Sequence, residues 1–136
     1  MIRSLKTGFA IAGLATSFYV AATASAHHAF AAEFDRDSPV QLTGAVTEMR
    51  WANPHAWIYI DVEGEDGSVV NWALETRAAN NLIRLGWRPA DVPVGAVLVI
   101  EGFQARNGSP TASIATVTFE DGRKLFAGPP DGPSQQ

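Results

Sequence analysis

Three histidines carry the chemistry this sequence can offer, and two of them, His27 and His28, follow directly on Ala24-Ser25-Ala26. The patterns Ala22-Thr23-Ala24 and Ala24-Ser25-Ala26 both have the small-x-small form of a secretory cleavage site. Cleavage after Ala26 makes His27 the amino terminus, and its amine and ring nitrogen can close a chelate on one metal ion. A third nitrogen from His55 would complete a T-shaped brace suited to copper(II). Cleavage after Ala24 instead gives Ser25-Ala26-His27, whose amine, two deprotonated amides and imidazole make a square-planar set favouring copper(II) or nickel(II). Neither arrangement contains proline, which would remove a needed amide. The chain has no cysteine, and Met49 is the one methionine beyond the leader, so soft-ligand copper(I) carriage is disfavoured. His55 follows Asn53-Pro54 at the start of a strand. Without a metal it reads as a half-buried histidine donating to a neighbouring carbonyl.

Residues 1-26 have the build of a signal peptide. Arg3 and Lys6 supply the positive start, and Gly8 to Ala22 an apolar core shorter than the roughly 20 residues a bilayer span needs. The expected protein is periplasmic or secreted, with no stable membrane insertion after cleavage. Removing two positive charges from a net −4 leaves −6. Such a chain is repelled by phosphate backbones and has no basic stripe, so nucleic acid is not an expected partner. Residues 27-39 read as a leader whose Phe30 and Phe34, one helical turn apart, can dock on the body. Residues 40-127 read as one domain and 128-136, with three prolines, as a disordered tail.

The body is patterned as short strands. Val40 to Trp51 opens with alternation on Val40, Leu42, Gly44 and Val46, then changes parity at Glu48, which predicts one long strand with a bulge. Pro54 interrupts it. His55 to Val62 puts Ala56, Ile58, Ile60 and Val62 on one face and His55, Trp57, Tyr59 and Asp61 on the other. Ser68 to Glu75 is its partner. A turn through Glu65, Asp66 and Gly67 pairs Val62 with Val70, Ile60 with Trp72 and Ile58 with Leu74; a one-residue slip would mix the faces. The same register sets Trp57 opposite Glu75, Tyr59 opposite Ala73 and Asp61 opposite Asn71.

A helix is expected from Arg77 to Leu85, capped by Thr76 and stopped by Gly86, with Trp87 folding back on Leu82. Strands from Val97 to Ala105 and Thr111 to Phe119 follow, joined at Asn107-Gly108. Strand, strand, strand, helix, strand, strand is the layout of a mainly β, five-stranded OB-like barrel with a short helix between strands 3 and 4. In that fold ligands meet the strand 2 and 3 face and the loops after strands 1 and 4. Trp51, Asn53, Trp57, Tyr59 and Glu75 are therefore the candidate ligand-binding residues. The aromatics could instead pack beneath Phe30 and Phe34 or beneath Leu125 and Phe126. No carboxylate pair, calcium loop, nucleophile motif, phosphate loop or dinucleotide fingerprint assigns a catalytic residue.

The stretches His27-His28-Ala29-Phe30-Ala31-Ala32-Glu33-Phe34-Asp35, Trp51-Ala52-Asn53-Pro54-His55-Ala56-Trp57-Ile58-Tyr59 and Asp121-Gly122-Arg123-Lys124-Leu125-Phe126-Ala127-Gly128 resemble a family of small exported bacterial proteins catalogued as domain of unknown function 6152. The resemblance implies a periplasmic single domain and carries no activity, cofactor or catalytic residue. Glu75 to Ala79 departs from the glycine-serine-proline turn of that family. The expectation is thus an exported, non-enzymatic binding module for a small ligand or protein partner, with copper(II) as the cofactor that His27, His28 and His55 would take. A copper-dependent oxidoreductase built on the histidine brace, and a purely structural or protein-interaction domain, are the alternatives.

Overall fold

The computed structural model describes residues 30–128. His27, His28, the expected signal peptide and residues 129–136 of the expected tail lie outside the described residues. The strands are β1 (Phe34–Arg50), β2 (Trp57–Glu63), β3 (Val69–Glu75), β4 (Val97–Ala105), β5 (Thr111–Phe119) and β6 (Lys124–Phe126), with helix α1 (Ala79–Arg84) between β3 and β4. Antiparallel pairings link β3 to β2, β2 to β1, β1 to β4 and β4 to β5. A parallel pairing of β3 with β5, from Ala73 and Thr111 to Glu75 and Ser113, completes a ring of hydrogen-bonded strands. That ring is the expected OB-like arrangement.

The β2–β3 register is the expected one throughout, including Trp57 opposite Glu75. Alternation on both strands admits one way of keeping Ile58, Ile60 and Leu74 inside, and all three are fully buried. Gly67 takes the left-handed turn position at φ 79°. The bulge in β1 falls between Val46 and Glu48, leaving Thr47 as the extra residue where the apolar parity changes. Gly44 is required by contact: a Cβ there would lie 2.3 Å from the Asp61 carbonyl oxygen of β2.

Several boundaries differ from expectation. β1 begins at Phe34 rather than Val40, because Phe34 pairs with Ala105 and residues 39–45 pair with β4. β2 begins at Trp57, not His55. The helix begins at Ala79, and Thr76 does not cap it: the N-cap is Ala78, with no side-chain cap bond. Thr76 is instead fully buried, its N–H donating to the Ala56 carbonyl and its hydroxyl to the Arg77 carbonyl, so the chain stays extended past it. A sixth strand, β6, was not expected. It pairs with β5 after a turn at Gly122 (φ 83°), and the Trp87 Nε1–H donates 2.9 Å to the Phe126 carbonyl.

The core gathers Val46, Ile58, Ile60, Leu74, Leu98, Ile100, Ile114 and Val117 from the ring, with Leu82 of α1 and Trp87 added at one end. Leu82 also accepts the Trp87 N–H at its carbonyl, so the segment after Gly86 folds back on the helix as its sequence suggested. Burial of these apolar side chains is the stabilising term available to a chain without disulfides. Among the described residues no helix is long and apolar enough to cross a membrane.

Candidate functional site

His55 is held by two backbone pairs on its carboxyl side. The Ala56 N–H donates to the Arg77 carbonyl, and the Ala56 carbonyl accepts from Thr76. These bonds lay the segment after cis-Pro54 along the end of β3. His55 thereby meets Glu75, and its Nδ1 contacts Glu75 Oε1. The two side chains differ sharply in exposure, 41% for His55 and 4% for Glu75. A nearly buried carboxylate thus engages one nitrogen of a half-exposed imidazole, which fixes the ring's orientation and directs its Nε2 edge away from the carboxylate. Among the described residues no group of three or more His, Asp or Glu is clustered to hold a metal. This pair is two ligands or fewer.

Glu75 was expected on a half-polar outer face. It has that parity, but it is buried. Reading across the ring, Trp57, Glu75, Ser113, Phe103 and Pro39 are successive partners on β2, β3, β5, β4 and β1. Paired residues share a face, so these five side chains form an outer belt. Within it Ser113 is 1% exposed, and its hydroxyl has no hydrogen-bond partner among the described residues. Phe103 packs edge-on against Phe30 with ring centroids 6.2 Å apart, and Phe30 lies 5.4 Å from Phe34. Phe30 and Phe34 are buried with Ala105 in a second apolar cluster. Arg106 clamps the same turn, donating its backbone N–H to Glu33 and its Nε–H to the Ala31 carbonyl. The segment ahead of β1 therefore docks on β4, at Phe103 and Ala105, and Phe30 and Phe34 do not cover the Trp57 and Tyr59 rings.

The other candidate residues sit around this belt. Trp51 is half-buried and packs against the main core, as does Met49. Asn53 is exposed in the loop, and Trp57 and Tyr59 are half-buried. The Arg50 guanidinium lies 4.8 Å from the centroid of the Tyr59 ring and donates to its hydroxyl at 3.2 Å. A ligand stacking on that ring face must displace Arg50. Its hydrogen bonds to Glu48, reinforced by its charge, hold the Glu48 carboxyl below the usual range. At the loop after β4 a groove of about 430 Å³ runs between Glu33, Arg106, Asn107, Ser109 and Thr111. Its main cation is already committed to the leader turn and to Asp35.

The sequence pointed to His55 and Glu75 separately. Their pairing was hidden because strand register placed Trp57, not His55, opposite Glu75. Ser113 gave no signal at all, since a serine within an apolar strand is unremarkable until β3 and β5 are seen to pair.

No curated protein and no solved structure matches the chain. One family model does, over residues 16–114, spanning β1 to β4, α1 and the first part of β5. It is described as a family of unknown function. The matched segment is well over half of the chain and includes His27, His28, His55 and Glu75, so the chain belongs to that family, DUF6152.

Proposed function

We propose that this chain is an exported, non-enzymatic copper(II)-binding module in which His55 contributes one nitrogen and the amino-terminal histidines His27 and His28 contribute the rest. The observation that carries this reading is the His55–Glu75 pair. Metal-ligating histidines characteristically use their second ring nitrogen on a carboxylate or carbonyl, which fixes the tautomer and raises ligand basicity. Here a carboxylate with 4% exposure occupies Nδ1, and the 41% exposed imidazole is left with Nε2 for a metal. An all-nitrogen set without thiolate or free thioether matches copper(II) better than copper(I).

Chain geometry supports a shared site. Neighbouring strands stand about 4.8 Å apart, so Phe103 and Glu75, two steps apart on the belt, are separated by about 10 Å. Phe30 is anchored on Phe103. His28 precedes Phe30 by two residues, which span at most about 7 Å of chain. The described chain thus begins, at Phe30, on the outer face that also carries Glu75, the partner of His55.

The test begins with intact-mass measurement of protein recovered from the periplasm, followed by copper(II) titration of that material. An amino terminus at Ser25 or His27 is expected; one at Ala29 or later refutes the proposal. His55→Ala should abolish the third-nitrogen contribution, and Glu75→Gln should weaken binding by roughly 10- to 100-fold, the usual cost of losing an outer-shell partner. Copper affinity unchanged in both variants would mean a leader chelate that does not involve the barrel.

A further inference from the structure

The first half of β3 has β2 on one side and, among the described residues, no strand on the other. β2 accompanies β3 from Val69 onward, whereas the β3–β5 pairing covers only Ala73 to Glu75. The Ala73 N–H points away from β2 and donates 3.0 Å to the Pro110 carbonyl. Backbone groups alternate sides along a strand, so Val69 and Asn71 direct their N–H and C=O toward this open edge. Val69 is 61% exposed and Val70 43%. Val70 and Trp72 have the inward parity, opposite Val62 and Ile60, and Val62 and Trp72 are only partly buried against the core. An added strand would find apolar side chains to cover on its inner face.

The hairpin that carries this edge has charge of one sign. From Asp61 to Thr76 there is no Lys, Arg or His, while Asp61, Glu63, Glu65 and Asp66 are all exposed. On the outer face Asp61 is paired with Asn71 and Glu63 with Val69, one strand behind the edge. A lysine or arginine on an added strand can lay its apolar stem over Val69 or Asn71 and bring its charge to those carboxylates. A second copy of this acidic chain would meet the same carboxylates as repulsion, so edge-to-edge self-pairing is disfavoured.

We propose that the edge Val69 to Trp72 docks an extended segment of a partner protein by strand addition, the segment alternating apolar residues with Lys or Arg. Main-chain bonds to Val69 and Asn71 supply register, the apolar residues cover Val70 and Trp72, and the cations select for this edge over others. The probe is the peptide acetyl-Lys-Val-Lys-Val-Lys-Val-Lys-amide, titrated at low salt into the purified chain with amide exchange followed residue by residue. Saturable binding is expected, with the Val69 and Asn71 amides protected. Glu63→Lys combined with Glu65→Lys should weaken it by at least about tenfold, and so should about 1 M salt. If that charge-reversed variant unfolds, Glu63→Gln with Glu65→Gln reads the same effect at smaller amplitude. Absence of binding, binding without protection of Val69 and Asn71, or equal binding of a peptide N-methylated on alternate residues overturns the proposal, and the carboxylates then serve only to keep sheet edges apart.

Discussion

Replacing His55 with alanine tests whether Glu75 truly positions the imidazole, because the two arrangements of that pair predict different energies. The Glu75 side chain is 4% exposed, so the variant removes the imidazole partner of a nearly buried carboxylate. Breaking a fully buried ion pair costs about 3–5 kcal/mol. His55 is 41% exposed, and solvent there screens the interaction, so the figure must be reduced. A charge-assisted hydrogen bond of about 1.5–3 kcal/mol is the better guide, which puts His55→Ala near 2 kcal/mol. For a domain of this size that is a fall in Tm of about 8–15 °C. Glu75→Gln keeps an acceptor for Nδ1–H and should cost about 1 kcal/mol. The double variant should then be less destabilised than the sum of the singles, with a coupling of about 1 kcal/mol or more. Urea melts of the four proteins at neutral pH give the cycle directly. A His55→Ala variant within about 0.5 kcal/mol of the parent, with no coupling, would show the pair to be a solvated surface contact. Glu75 would then not be what orients His55 for a metal.

Glycine substitutions should separate two causes of strain. Gly44→Ala forces a Cβ to 2.3 Å from the Asp61 carbonyl and should cost about 2–3 kcal/mol in a denaturant melt, whereas Gly67→Ala meets open space and should cost about 1–2 kcal/mol for its left-handed backbone alone. Trp87→Phe removes the bond to the Phe126 carbonyl and trims a fully buried ring, so a loss of about 2–3 kcal/mol is expected, with faster amide exchange in β6. At the β2–β3 turn, the hydroxyl and N–H of Ser68 hold the Asp66 carboxyl below its ordinary 3.8. A carboxyl lowered on folding contributes stability above its unfolded value and loses it as pH falls through the folded one. The pH titration of the Ser68 amide chemical shift should therefore have its midpoint below that ordinary value; a midpoint above it would contradict the hydrogen-bonded turn.

Much of the barrel was legible because its signals are local. The β2–β3 register follows from two alternating rows that fit one another in a single way, with Gly67 supplying the turn. The bulge was visible as a change of parity at Glu48. Boundaries that depend on remote partners were not legible. Thr76 has a capping side chain, but its N–H is taken by Ala56 from the other side of the pro-loop, and that outweighs any helix-start preference. Lys124 to Phe126 is too short to announce a strand, and it becomes one because β5 and Trp87 supply partners.

For the candidate site the same division holds. Sequence alone determined which groups exist to do chemistry: three histidines, an acidic chain without thiols, and aromatic residues on the strand 2 face. It also determined the succession of the first five strands and the helix along the chain, since hydrophobic period and turn residues act over a few neighbours. Tertiary structure alone decided that His55 meets Glu75, that Ser113 lies beside Glu75, and that Phe30 packs on the same belt. The Ser113 contact arises when the parallel β3–β5 pairing closes the ring, the His55 contact when Ala56 pairs with Thr76 and Arg77, and the Phe30 contact when the start of β1 pairs with β4; no local pattern encodes pairings between segments so remote in the chain.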